Sequence, residues 1–208
     1  TRTLIYRLAY LLESGVKPEE ILLMTFTNKA AQEMTTRVEE LLGTYPKGLW
    51  AGTFHHIGNR ILRKSIKKLG YTSSYTIMDE GDAHDLLNNI VGKINIQKDK
   101  YFPKAKIIKN VISFSTNAGI SINETINKKF NFIEDETLDW IKIISTRYAN
   151  KKKELNVLDY DDLLALWLQI LEQYPDFAKN LSQTFKYILV DEYQDTNHIQ
   201  ANIIKKLA

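Results

Sequence analysis

Two short uncharged runs in the first 70 residues, each leading straight into a helix start, restrict what this chain can fold into more than any other feature. Ile21-Leu22-Leu23-Met24 is apolar at every position. A strand with one face in water alternates, so continuous apolarity suits a parallel strand covered on both faces. Thr27 and Asn28 follow; both are residue types whose side chains cap helix N-termini, and they predict a helix through Leu42. Leu49-Trp50-Ala51-Gly52-Thr53-Phe54 repeats the arrangement, with a helix expected from about His56 to Leu69. Parallel neighbours require a crossover, and two strand–helix units in succession predict a parallel α/β sheet. Ahead of them, Leu4, Ile5, Leu8, Leu11 and Leu12 share one face of a helix that Ser14-Gly15 ends.

From about Tyr71 to Phe177 the pattern changes to helical stripes, among them Ala83/Leu86/Leu87/Ile90 and Leu163/Leu164/Trp167/Leu168/Leu171. Polar connectors lie near Gln97–Pro103 and Asn127–Glu136. This stretch reads as a helical insertion. The α/β pattern resumes at Tyr187-Ile188-Leu189-Val190, and a final helix carries Ile199, Ile203 and Leu207. The expected organisation is therefore 1–70 and 178–208 as one α/β body interrupted by a helical subdomain at 71–177.

Composition excludes several classes. The 208 residues contain no cysteine, which removes disulfide scaffolds, thiolate metal sites and cysteine nucleophiles. No apolar run approaches the roughly 18 residues that span a bilayer, and the first residues do not open a signal peptide, so a cytoplasmic protein without a membrane partner is expected. A net charge of +3 is too small to argue for nucleic acid by itself. Its distribution is uneven: residues 1–70 carry 11 Lys/Arg against 6 Asp/Glu, and residues 151–208 carry 7 against 9. The 9 glycines form neither a G-x-x-x-x-G-K-[ST] nor a G-x-G-x-x-G loop.

The strongest chemical signal is Ile188-Leu189-Val190-Asp191-Glu192-Tyr193-Gln194-Asp195. An apolar strand here delivers two adjacent carboxylates to the C-terminal edge of a parallel sheet, where open α/β sheets bind ligands. Such a pair divides two tasks: one carboxylate holds Mg²⁺, usually through water, and the other orients and deprotonates an attacking water. An acidic helix N-terminus after a buried strand is the other meaning of the same residues.

Four strings in order decide between these meanings. Asp191-Glu192-Tyr193-Gln194-Asp195-Thr196-Asn197 resembles motif II of the UvrD/PcrA/Rep-type superfamily 1A DNA helicases. Thr25-Phe26-Thr27-Asn28-Lys29-Ala30-Ala31 with Glu33-Met34 resembles motif Ia, and Gly52-Thr53-Phe54-His55 resembles motif Ib. Leu158-Asp159-Tyr160-Asp161-Asp162-Leu163-Leu164 is similar to the segment that leads the family back from its 1B insertion. The resemblance covers the whole chain. It implies a RecA-like parallel sheet of P-loop NTPase type, incomplete here, as subdomain 1A with an all-helical 1B inserted. It also implies an ATP-dependent 3′–5′ helicase and translocase in repair or replication, using ATP and Mg²⁺ and acting on single-stranded DNA and its junction with duplex.

By the same resemblance, Glu192 is the general base and Asp191 a metal carboxylate; Thr1 and Arg2 are the last positions of a Walker A loop, with Thr1 on Mg²⁺ and Arg2 stacked on adenine. Asp191, Glu192 and Gln194 complete the nucleotide contacts. The lysine-bearing part of that loop and the second RecA-like domain with its arginine finger fall outside these 208 residues, so the isolated chain is expected to be inactive. A non-hydrolysing single-strand-binding module or helicase-like regulatory protein is the alternative.

Motifs Ia and Ib also read without the family. Helix-start amides helped by Thr27, Asn28, Thr53 and His55 suit phosphate oxygens, while Phe26 or Phe54 stacks on an unpaired base. Alternatively both rings are core and the polar residues merely cap. Six lysines and one acid between Lys93 and Asn110, with Tyr101 and Phe102 among them, face either duplex phosphates or water. Lys151-Lys152-Lys153 likewise reads as a solvated run, and Asp159, Asp161 and Asp162 as acids at a helix start rather than a metal cluster. His84 and His198 have no neighbour at a metal-ligand spacing.

Overall fold

A computed structural model describes residues 2–94 and 102–208, apart from the side chain of Asp135. The chain divides into two compact units, one formed by the residues up to Ser65 together with Leu166–Ala208, the other by Ile66–Ala165.

The first unit is built on three parallel strands in the order β2-β1-β5, namely β1 (Ile21–Thr25), β2 (Trp50–Thr53) and β5 (Tyr187–Val190). Leu22 lies opposite Trp50 and Ile188, and Thr25 opposite Thr53. As the central strand, β1 is buried throughout, which is why its run is apolar at successive positions. Helices α1 (Arg2–Glu13) and α2 (Asn28–Leu42) cover one face. There Ile5, Leu8 and Leu11 pack with Ile21, Leu23, Met34 and Val38. Helix α3 (Phe54–Ser65) follows β2 at once and runs into a 3₁₀ turn over Ile66–Leu69. It starts two residues before the expected His56 because the Thr53 hydroxyl accepts from the His56 N–H at 3.1 Å, making Thr53 the cap. Helix α9 (Pro175–Thr184) precedes β5, and α10 (His198–Leu207) closes the unit behind an Asn197/Gln200 capping box.

The second unit is helical, with α4 (Glu80–Lys93), α5 (Ala105–Ala118), α6 (Ile122–Lys129) and α7 (Asp135–Leu155) around a core that includes Leu87, Ile108, Val111, Ile141, Ile144 and Tyr148. Asn127, Lys128 and Lys129, expected in a connector, belong to α6, whose start is fixed by a Ser121/Glu124 capping box. A two-stranded parallel ladder, β3 (Thr76–Ile77) with β4 (Val157–Leu158), has no counterpart in the sequence reading. The Asn156 amide reinforces it, accepting from the Thr72 N–H at 2.9 Å and donating to the Thr72 hydroxyl at 2.6 Å. The ladder and amide bring the two ends of the unit side by side. Helix α8 (Tyr160–Gln173) leaves this unit and enters the first, Leu166 being its first residue there.

Candidate functional site

The C-terminal ends of β2, β1 and β5 lie on one edge of the sheet and carry most of the candidate residues. At the end of β1, the buried Thr25 hydroxyl donates to the Thr27 carbonyl at 2.9 Å and ties down the turn. Thr27 is in extended conformation and its hydroxyl accepts from Ala30 N–H at 3.1 Å, capping α2. Asn28 stands exposed at the first helical position. Thr53 caps α3 in the same way, and His55 is half-buried in its first turn. Both threonine oxygens are thus engaged by helix-start amides.

The two phenylalanines separate. Phe54 is 1% exposed and belongs to the core, whereas Phe26 is 38% exposed. Their ring centroids lie 5.9 Å apart at 56°, so Phe54 is the support on which Phe26 rests. The expectation that Phe54 itself meets a base is corrected by this burial: the ring has no face left for one. Gly52 is held by packing that sequence reasoning did not find. A Cβ there would come within 2.8 Å of the His56 ring, so any side chain displaces it.

Strand β5 delivers the carboxylates. The Asp191 N–H donates to the Met24 carbonyl at 3.0 Å, which extends the ladder by one residue and leaves Asp191 6% exposed at the strand end. Glu192 then turns into the left-handed region, φ 50° and ψ 46°, and is exposed. A non-glycine residue there costs about 1–2 kcal/mol, and such strain gathers at functional turns. The Gln194 amide donates to Glu192 Oε2 at 2.6 Å. It holds one carboxylate oxygen and leaves the other to face solvent.

The model of the family described as "UvrD/REP helicase N-terminal domain" matches residues 1–208. The chain belongs to that family. Among its curated relatives are the ATP-dependent DNA helicases PcrA of Bacillus subtilis (strain 168), 36% identical over 212 residues. Those of Staphylococcus epidermidis (strain ATCC 12228) and Staphylococcus aureus (strain NCTC 8325) are 35% identical over 212 and 34% over 218 residues. Each alignment takes in 100% of this chain, which spans 28% of the length of those relatives.

Thr1 and Arg2 are the remaining candidates. Thr1 falls outside the described residues. Arg2 opens α1, its guanidinium 5.7 Å from the centre of the Tyr6 ring, and the two border a cleft of about 250 Å³ with Arg37, Glu40 and Leu41. Among the described residues, no group of three or more His, Cys, Asp or Glu forms a metal site, and no helix is long and apolar enough to cross a membrane.

The charge runs of this helicase-family chain are sorted by the second unit. Lys98, Lys100 and Tyr101 lie outside the described residues, and Phe102 packs against the helical core. Lys109 is not presented to phosphates: it is 13% exposed and bridges Asp161 at 2.7 Å and Asp159 at 3.4 Å. Lys152, expected in a solvated run, is 6% exposed and reaches Asp159 at 3.0 Å and Asp162 at 2.6 Å. Asp159 and Asp162 exchange backbone-to-carboxylate hydrogen bonds of 2.9 and 3.0 Å, a capping box that starts α8. The Tyr148 hydroxyl donates to Asp159 at 2.9 Å and the Asn117 amide to Asp161 at 2.7 Å. Burial opposes ionisation of Asp159, but Lys152 and Lys109 outweigh it and hold the carboxyl well below its usual range. Tyr148 is driven strongly upward by burial and by that carboxylate. The acids at 159–162 therefore do more than face a helix dipole; they are the anionic half of a buried ion network.

Proposed function

We propose that this chain is the first, RecA-like wall of an ATP-dependent 3′–5′ DNA helicase, with the helical unit of Ile66–Ala165 as its inserted subdomain, narrower than the expected 71–177. One observation carries the reading: a single sheet edge bears the Asp191-Glu192 pair on β5 and, on the neighbouring strands, the helix-start turns of Phe26–Asn28 and Thr53–His55. Nucleotide chemistry and strand contact then share one rigid base, and a displacement at one is felt at the other.

Carboxylate oxygens suit Mg²⁺, which takes one or two from a protein and the rest from water and phosphate. Asp191, fixed by the ladder, fits that part, with Thr1 as a second contact and Arg2 at the adenine. Bound Mg²⁺-ATP supplies the phosphoanhydride and the charge that offsets its negative oxygens. Glu192, exposed and with one oxygen held by Gln194, accepts the proton of the attacking water through the other. Phe26 offers its outer face to an unpaired base, while the amides at the starts of α2 and α3, together with Asn28 and His55, meet phosphates. The partner is single-stranded DNA at its junction with duplex, in repair or replication. The 208 residues hold no lysine-bearing phosphate loop, so on their own they are expected to turn over no ATP.

The test uses the longer protein that contains this chain. Glu192→Gln keeps size and hydrogen bonding but cannot take a proton, so steady-state hydrolysis should fall by orders of magnitude with ATP binding retained. Asp191→Asn should instead weaken the binding of Mg²⁺-nucleotide. Wild-type turnover in Glu192→Gln would remove the general-base assignment at this strand end, whereas a wild-type protein that binds single strands without turning over ATP would make the non-hydrolysing strand-binding module the better account.

A further inference from the structure

Helices α4 and α7 of the second unit leave a cleft of about 320 Å³ between them, to which α4 contributes Leu86, Asn89, Ile90 and Lys93. Helix α7 contributes Arg147, Asn150, Lys151 and Glu154. On both helices these positions recur at i, i+3, i+4 and i+7, so the cleft follows each axis for two turns, roughly 10 Å at 1.5 Å per residue. That volume is at the lower end of ligand-sized clefts, about 300–1,000 Å³.

The lining has a definite chemistry. Three cations face one carboxylate, and Glu154 is already paired with Lys151 at 2.8 Å. Lys93 and Arg147 have no ion-pair partner among the described residues. Two amide side chains stand between the charges. Asn89 donates to the Asp85 carbonyl at 3.3 Å, which leaves its own side-chain carbonyl as an acceptor, and the side chain of Asn150 makes no hydrogen bond among the described residues. Ile90 is 8% exposed and forms an apolar floor with Leu86, both packed on the helical core.

We propose that this cleft takes a short acidic segment of a partner protein, in which carboxylates flank an apolar side chain. An amide side chain is both donor and acceptor and so matches a peptide backbone, which offers both. A phosphodiester offers acceptors alone: the asparagine carbonyls would go unanswered and the Leu86–Ile90 floor uncovered. No aromatic residue lines the cleft, so an unpaired base has nothing to stack on. A peptide fills every part. Its carboxylates meet Lys93 and the fork of Arg147, its apolar side chain covers Leu86 and Ile90, and Glu154 repels acid at one end and so fixes direction.

The probe is an acetylated, amidated Asp-Glu-Leu-Asp-Leu-Glu peptide titrated into the ¹⁵N-labelled chain. Shifts should be confined to residues 86–93 and 147–154, including the side-chain amides of Asn89 and Asn150, with a dissociation constant below about 1 mM. Lys93→Glu and Arg147→Glu, at exposed positions where the fold is undisturbed, should each weaken binding by about fivefold or more, and serine in place of the peptide leucines by about tenfold. An absence of shifts at millimolar peptide overturns the proposal. So does blunt duplex DNA that displaces the peptide and loses affinity on the same substitutions, because the cleft is then a nucleic-acid face.

Discussion

Lys152→Met tests whether the charges at the start of α8 form a buried network. Lys152 is the cation shared by two carboxylates, 3.0 Å from Asp159 and 2.6 Å from Asp162. Without it Asp159 retains Lys109 at 3.4 Å and the Tyr148 hydroxyl at 2.9 Å. Asp162 retains the Asp159 N–H at 2.9 Å as its partner among the described residues. Stranding one member of a buried ion pair costs about 3–5 kcal/mol, whereas an exposed pair is worth about 0.2–1 kcal/mol. Lys151, bonded to Glu154 at the surface, is the internal comparison. At about 2–4 °C per kcal/mol for a chain of this length, Lys152→Met should lower Tm by about 6–20 °C and Lys151→Met by less than about 4 °C.

The same variant has a signed pH dependence. Burial pushes the Asp162 carboxyl up to about 6, and the Asp159 charge beside it adds to this against the opposing pull of Lys152. With a raised carboxyl the folded state keeps a proton that the unfolded chain has released, so its contribution to stability falls as pH rises from about 4 to about 6. Removing Lys152 raises Asp162 further and carries that fall above pH 6. The deficit should therefore be larger at about pH 8 than at about pH 5, widening by at most about 1.4 kcal/mol per pH unit. Urea unfolding of wild type, Lys152→Met and Lys151→Met, followed by circular dichroism at both pH values, measures it. If Lys152→Met matches Lys151→Met at pH 8, the network is solvated and the argument fails.

Two further substitutions address the sheet edge. Phe26→Ala should weaken single-stranded DNA binding by about 1–3 kcal/mol in a fluorescence anisotropy titration and lower Tm by about 1–6 °C through the lost contact with Phe54; unchanged affinity in the folded variant would show that no base stacks there. Glu192→Gly should raise Tm slightly, because glycine relieves a left-handed cost of about 1–2 kcal/mol and loses part of that gain, about 0.4–1 kcal/mol, to greater freedom in the unfolded chain; a lower Tm would mean that the Glu192 side chain contributes more to the fold than its bond to Gln194.

The sequence by itself determined the elements whose causes are local. The strand at Ile21–Thr25 is legible because a central parallel strand is apolar at successive positions, and the start of α2 because Thr27 caps within three residues of its own position. The strings at 25–31, 52–55 and 191–197 identified the family, since their order is a property of the chain alone. Tertiary structure decided whatever depends on a distant partner. Phe26 and Phe54 are the same residue type at equivalent strand ends, and only the packing of α3 makes one a surface and the other a core. The ladder of Thr76–Ile77 with Val157–Leu158 joins residues some 80 apart, too short on either side to leave a periodic trace. Lys152 sits between two other lysines on one turn of α7 and differs from them because its side of the helix faces the α8 start, where Asp159 and Asp162 hold it. Ile141, Ile144, Tyr148 and Lys152 share one face of α7, so helical spacing alone places Lys152 on the enclosed side, but only the three-dimensional neighbourhood supplies the carboxylates that let a buried lysine keep its charge there.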